Sequence, residues 1–291
     1  CWSENHDDGS GSCDFAATIP DLVPDDIITD ADGNIYMLSQ SNSKVFVWSV
    51  QAQQYRNPIF VGESTEFSSA APTAMVYSES HNRLYFGYES GNLTYVALDG
   101  SNQEQYFNRL SAFGSMVAAG NYLMVQERTT GRNRRNVFSA DGTLVASSSS
   151  TYSSDQYAWS SATSKFYYLR RGYSPVDLHY QSIDQTTGAL NGSGDSPYHS
   201  STNMTGPVRV INQDSQVILG SGAIYNADNL EIMHNLETTL VDALDYAGML
   251  LTARESDGAW FVDILSYDDY AVLTSFQLEY SILSLALHED D

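Results

Sequence analysis

One pattern recurs seven times along the chain and constrains its fold more than any other feature. A short apolar strand runs into a turn of Asp, Asn, Gly or Ser, then a second apolar strand, another turn and a third strand. The clearest copies are DIITDADGNIYML (26–38), TAMVYSESHNRLYFGY (73–88), SMVAAGNYLMVQ (115–126) and VRVINQDSQVIL (208–219). Weaker copies are QYAWSSATSKFYYL (156–169), VDALDYAGMLLT (241–252) and SILSLALHEDD (281–291). Their starts lie 47, 42, 41, 52, 33 and 40 residues apart. A unit this short cannot bury its apolar faces alone, but copies stacked around an axis can. The period of about 40 residues therefore predicts an all-β β-propeller of four-stranded blades.

The blades can be traced through their turns. In the second, strands at Thr73–Tyr77, Arg83–Tyr88, Leu93–Leu98 and Gln105–Phe107 are separated by Ser80–Asn82, Glu89–Gly91 and Asp99–Gly100, residues suited to hairpins. Six copies are nearly complete. The seventh has only an inner strand at Ser281–Leu287, to which Phe15–Ile19 could add an outer strand. Seven blades, with the natural chain continuing past Asp291, is the favoured reading; six blades and an extra strand is the alternative. Residues 15–291 are read as one domain.

Residues 1–14, CWSENHDDGSGSCD, are polar and rich in Gly and Ser, and read as a flexible tether. A chain that begins with Cys and continues into such a tether resembles a bacterial lipoprotein after signal cleavage. That resemblance implies that Cys1 carries a lipid anchor, the protein's one link to a membrane. A Cys1–Cys13 disulfide and a chance boundary at Cys are the competing readings. The first two place the protein outside the cytoplasm, anchored in the outer membrane, on the cell surface or in the periplasm.

DADGNIYML, with the VFVWSV and PIFVG that follow, is similar to the YVTN/NHL-type propeller repeat. The stretches SPVDLHYQSIDQTTGAL and VRVINQDSQVILGSGAIYNADNL resemble repeats in large surface proteins of aquatic gammaproteobacteria. The resemblance implies an exported or surface-anchored propeller and carries no catalytic residues with it.

Charge narrows the partners. With 36 acidic and 13 basic side chains the formal charge is −23, which repels phosphate backbones and argues against nucleic acid. Seven of the bases fall within residues 128–171, opposed only by Asp141 and Asp155, so that window is +5 and the rest −28. Arg128, Arg132, Arg134, Arg135, Arg170 and Arg171 are assigned to the turns between the second and third strands of blades three and four. Side by side on one face, they would dock a protein or an anionic polysaccharide. Their competing use is pairing with nearby carboxylates.

Asp30 and Asp32 lie in the first turn of blade one, in DADGN. Calcium is the cofactor their oxygens would take, and a plain hairpin turn is the competing use. Acids near inner-strand ends (Asp25, Asp26, Asp242, Asp245 and His288–Asp291) could converge on the axial channel. The chain has no Gly-x-Ser-x-Gly elbow, no His-Glu-x-x-His and no phosphate loop. His179 alternates within a strand and reads as structural. The function expected is a non-enzymatic binding or assembly platform; a cation-dependent hydrolase or lyase at the channel mouth is the alternative.

Overall fold

The repeats form the strands that their alternation dictates. The computed structural model describes residues 22–62, 71–98, 101, 104–129, 133–150, 153–154, 156–172, 175–199 and 204–286. Blade one contains β1 (Asp26–Thr29), β2 (Ile35–Ser39) and β3 (Lys44–Ser49), with its outer edge split into β4 (Gln54–Tyr55) and β5 (Ile59–Phe60). Both outer pieces pair with β3, and Pro58, which has no N–H to donate, falls at the break between them. Blade two is β6 (Ala74–Ser78), β7 (Arg83–Gly87), β8 (Asn92–Ala97) and β9 (Gln105–Arg109). Blade three is β10 (Phe113–Ala119), β11 (Tyr122–Glu127), β12 (Asn133–Phe138) and β13 (Leu144–Ser150). Blade four is β14 (Ala158–Ser160), β15 (Lys165–Arg170), β16 (Asp177–Ile183) and β17 (Leu190–Asp195). Blade five is β18 (Val208–Ile211), β19 (Gln216–Leu219), β20 (Ala223–Asn226) and β21 (Ile232–Asn235). Blade six is β22 (Leu240–Tyr246), β23 (Met249–Ser256), β24 (Ala259–Leu265) and β25 (Val272–Leu278). Every described ladder is antiparallel and, apart from β3 with β5, joins chain neighbours, so each sheet is a meander from inner to outer strand.

The core lies between blades rather than within them. Five apolar clusters join successive blades, from Tyr36, Leu38 and Val47 against Met75 and Phe86 to Ile218 and Ile224 against Leu240 and Leu250. A period-two strand presents two faces, and in a propeller each face meets a different neighbour. That arrangement explains why β11 is buried at every position, YLMVQE.

Seven blades were expected; the described residues form six. The seventh copy does not form a strand over residues 281–286. This segment docks against blade six instead. The Ser284 Oγ–H and the Leu285 N–H both donate to Asp242 Oδ2, at 2.5 and 2.9 Å, and Ile282 is buried. An inner strand needs a second strand to complete its ladder, and among the described residues none follows. The outer strand of blade six is exposed along its whole length, including Val272, Leu273 and Phe276. Among the described residues, no helix is long and apolar enough to cross a membrane.

Candidate functional site

Concavities among the described residues open on the face reached by the turns between second and third strands and by the segments that enter each inner strand, one of them between blades five and six beside Asn235, Glu237 and Arg254. Another is the axial mouth, lined by Asp25, Asp26, Gln156, Arg171, Arg209 and Ser284. It continues inward past Thr29, Val76 and Met116. Asp26, on β1, accepts the Ile27 N–H at 2.9 Å and the Met75 N–H at 3.2 Å. Burial pushes its carboxyl up to about 6, against the lowering effect of these N–H groups and of Arg209. Asp242 is buried and receives Arg209 Nε at 2.7 Å. Asp26 thus lines the channel, as its position on an inner strand suggested, while Asp242 is buried behind Arg209. Asp25 also lines the mouth and accepts the Gln40 N–H at 2.7 Å, whereas Asp245 holds the neighbouring blade on the opposite face.

A further concavity, a cleft of ≈ 350 Å³, lies between blades three and four. Its wall follows from strand periodicity. Phe166, Tyr168 and Arg170 alternate along β15, and opposite them in the ladder stand Gln181, His179 and Asp177 of β16. The hairpin register then sets Asp195 of β17 opposite His179. From blade three, Arg135 of β12 reaches across this wall. Its guanidinium lies 4.0 Å from the Tyr168 ring centre, and its Nη1–H donates to Gln181 Oε1 at 3.1 Å. Tyr168 stacks on His179 with centroids 5.5 Å apart and planes 19° from parallel. Asp177 is fully buried, and its Oδ2 lies 2.7 Å from His199 Nδ1. Burial lowers the imidazole of His179 from its ordinary range, although Asp177 and Asp195 work to raise it.

Among the described residues, the buried atoms Arg135 Nη2, Asp177 Oδ1 and His179 Nε2, in and beside this cleft, meet no hydrogen-bond partner. Buried polar groups are nearly always satisfied, so three together mark a place prepared for something the protein chain does not supply.

The basic residues singled out by sequence that the structure describes stand in different environments. Arg134 and Arg135 sit in β12, not in a turn, and Arg170 ends β15. Arg135 is 5% exposed and belongs to the cleft; Arg134 is exposed, opposite Glu127 in the ladder. Arg128 is exposed in the turn after β11, and Arg171 lines the axial mouth. Arg132 and Cys1 lie outside the described residues, as does the whole 1–14 stretch. Asp30 is buried and accepts four hydrogen bonds. These come from the N–H of Asp32 (3.0 Å), the N–H and side-chain amide of Asn34 (each 2.8 Å) and the Tyr36 hydroxyl (2.8 Å). They close the turn, while Asp32 is exposed beside it. Sequence reading missed Asp177, Asp195 and Gln181 and took His179 as structural. The available signal was the Asp-x-His alternation at 177–179, which puts both side chains on one face.

No family model matches the chain, and no curated protein matches its sequence. Solved structures do match. The chain is similar to the WD40 β-propeller domain of Doa1 at a TM-score of 0.61 and 14% identity, over 90% of this chain and 84% of that one. At this identity the likeness is one of fold, and it agrees with the propeller built by the repeats.

Proposed function

We propose that the protein is a non-enzymatic binding platform whose blade three–four cleft receives an anionic group of a partner, an acidic protein segment or an acidic polysaccharide. The observation that carries this reading is Arg135 Nη2, a guanidinium donor held in the cleft wall with no partner of its own among the described residues. A planar guanidinium fixed by Tyr168 and Gln181 is pre-organised for a carboxylate or sulfate oxygen. Arg170 adds charge beside it, while the net −23 of the chain keeps nucleic acid away. The rigid disc supplies the scaffold, and a propeller's turns are a common place for partners to dock. Placement outside the cell through a lipid on Cys1 completes the reading, and the intact mass of the native protein tests that part directly.

Binding to immobilised alginate and heparin tests the cleft. Arg135→Lys combined with Arg170→Gln should weaken binding at least tenfold while the fold is retained by circular dichroism. Arg128→Glu, remote from the cleft, should change it less than threefold. Equal loss from both variants would point to diffuse charge and remove the cleft assignment.

A second reading, hydrolysis at the channel mouth, has one observation in its favour, the raised Asp26 carboxyl in a polar channel. Glycosidase or esterase activity abolished by Asp26→Asn would support it over the platform.

A further inference from the structure

We propose that Asp177, His179 and Asp195 form a binding site for a first-row transition dication, with Zn²⁺ the best fit. One ligand atom from each of the three lies within 4.8 Å of the others. Bonds of about 2.0–2.1 Å at tetrahedral angles place ligand atoms about 3.4 Å apart, so adjustments on the scale of a side-chain torsion close the site. The strands supply the geometry. Asp177 and His179 are two apart on β16 and share a face, and the β16–β17 register brings Asp195 beside His179.

An acidic cluster alone would mean little, because exposed carboxylates gather on any acidic protein. Two features set this one apart. Asp177 is 0% exposed, yet among the described residues its Oδ1 accepts no hydrogen bond, and the buried Nε2 of His179 meets no partner among them either. A buried carboxylate oxygen left unpaired is costly, and a cation removes that cost. The supporting contacts are also those of a metal centre. His199 Nδ1 holds the other oxygen of Asp177 at 2.7 Å, and Tyr168 stacks flat on the His179 ring, so both ligands are fixed in orientation.

The donor set selects the ion. Two carboxylates bring two negative charges to a dication, and a neutral imidazole nitrogen suits zinc and its neighbours. Calcium takes six to eight oxygens and magnesium a hydrated octahedron, neither of which this set provides. Arg135 and Arg170 are the opposing charges nearby. Arg135 is committed to Tyr168 and Gln181, and Arg170 stands opposite Asp177 in the ladder. Three protein ligands leave a fourth position, and Asp195, exposed at the cleft, turns that position toward solvent. The site stands on its own residues, whether or not the cleft docks an anionic partner.

The test is calorimetric titration of chelator-treated full-length protein with ZnCl₂, with CaCl₂ and MgCl₂ as controls. Cys1 and Cys13 are alkylated so that thiols do not compete. Wild type should bind one zinc and gain thermal stability on binding, with no response to calcium or magnesium. Asp195→Asn, at an exposed position that leaves the fold intact, should weaken zinc at least tenfold, and Asp177→Asn should do the same. Cobalt added to the wild type should give the visible absorption of a tetrahedral N/O site, and the Asp195→Asn protein should lose it. No saturable zinc binding by the wild type, or binding that both variants keep in full, overturns the site. Because neither readout involves a polysaccharide or protein partner, failure of the docking proposal leaves this result untouched.

Discussion

The Asp245 carboxylate of blade six accepts the Asn212 N–H of blade five at 2.8 Å. The Tyr267 hydroxyl donates to the same oxygen, Oδ1, and the other oxygen, Oδ2, takes the Gln213 N–H at 3.1 Å. The turn so held is an uncommon one, since Asn212, Gln213 and Asp214 all have positive φ (53°, 53° and 68°). L-residues visit this region reluctantly, and a run of three needs outside support. Asp214 passes the support on. It accepts the Ser161 N–H and Oγ–H at 2.7 and 2.5 Å in the corresponding turn of blade four. A chain of carboxylates thus fixes three blades on the face opposite the clefts.

Asp245→Ala should therefore destabilise the fold by about 1–2 kcal/mol, since it removes three hydrogen bonds whose donors are partly exposed and regain water. Asp214→Ala should cost less, and the double variant should deviate from additivity by at least about 0.5 kcal/mol, because the two carboxylates brace one turn. Denaturant melts of the four proteins measure the cycle. Strict additivity would show that the turn keeps its shape unaided.

The hairpin joining β22 and β23 carries a correctable mismatch. Tyr246 pairs with Met249, leaving Ala247 and Gly248 as a two-residue turn with φ of 49° and 73°. Both values are positive, as a type I′ turn requires, and Asn-Gly is the favoured pair there. Ala247 is exposed and gives nothing back for its strain. Ala247→Asn should stabilise the protein by about 0.5–1 kcal/mol, raising the melting temperature by a degree or two. A lower melting temperature would sink the turn assignment.

How much of this could be read from sequence depends on how local each feature is. Inner and second strands such as Ile27–Thr29 and Ile35–Leu38 were legible because apolar alternation and Asp-Gly or Asn-rich turns are local signals. SILSLAL at 281–287 carries the same alternation, yet residues 281–286 form no ladder. Alternation says that a segment could be a strand; a ladder also requires a partner strand elsewhere. Arg134 and Arg135 were assigned to a turn because NRRNVF begins with polar residues, but the ladder to β11 runs through them. Asp177 and His179 are visible as an alternating pair. Asp195 joins them only through the β16–β17 register, which shifts between Gln181 and Ile183, and no composition rule gives that shift.

The two arginines of contrasting environment separate structure from surface. Arg135→Ala removes a buried cation stacked 4.0 Å over Tyr168 and its bond to Gln181, and should cost about 2 kcal/mol. Arg128, exposed in a turn, should tolerate reversal to Glu within about 0.5 kcal/mol. Thermal melts compare them. Equal effects would mean that Arg135 does not hold the blade three–four seam. A docking test that reverses Arg135 together with surface arginines would therefore mix unfolding with lost binding.

Asp26 gives stability a pH dependence of unusual sign. Burial raises its carboxyl to about 6 in the folded protein, against 3.8 for an ordinary aspartate. Between these values the native state holds a proton that the unfolded chain has released. Its contribution is therefore fully present below about pH 4 and lost as pH rises through about 6, up to about 3 kcal/mol in all. Asp25 and Arg209, the charges nearest to it, act in opposite directions on this carboxyl. Carboxylates lowered by hydrogen bonds, such as Asp184 held by the Thr187 and Thr186 N–H groups, give the opposite slope at lower pH, so the Asp26 effect is read as a difference. Asp26→Asn should gain on wild type steadily from pH 4 to pH 7 in melting temperature. A difference that stays flat across that range would place the Asp26 carboxyl in water rather than in the channel wall.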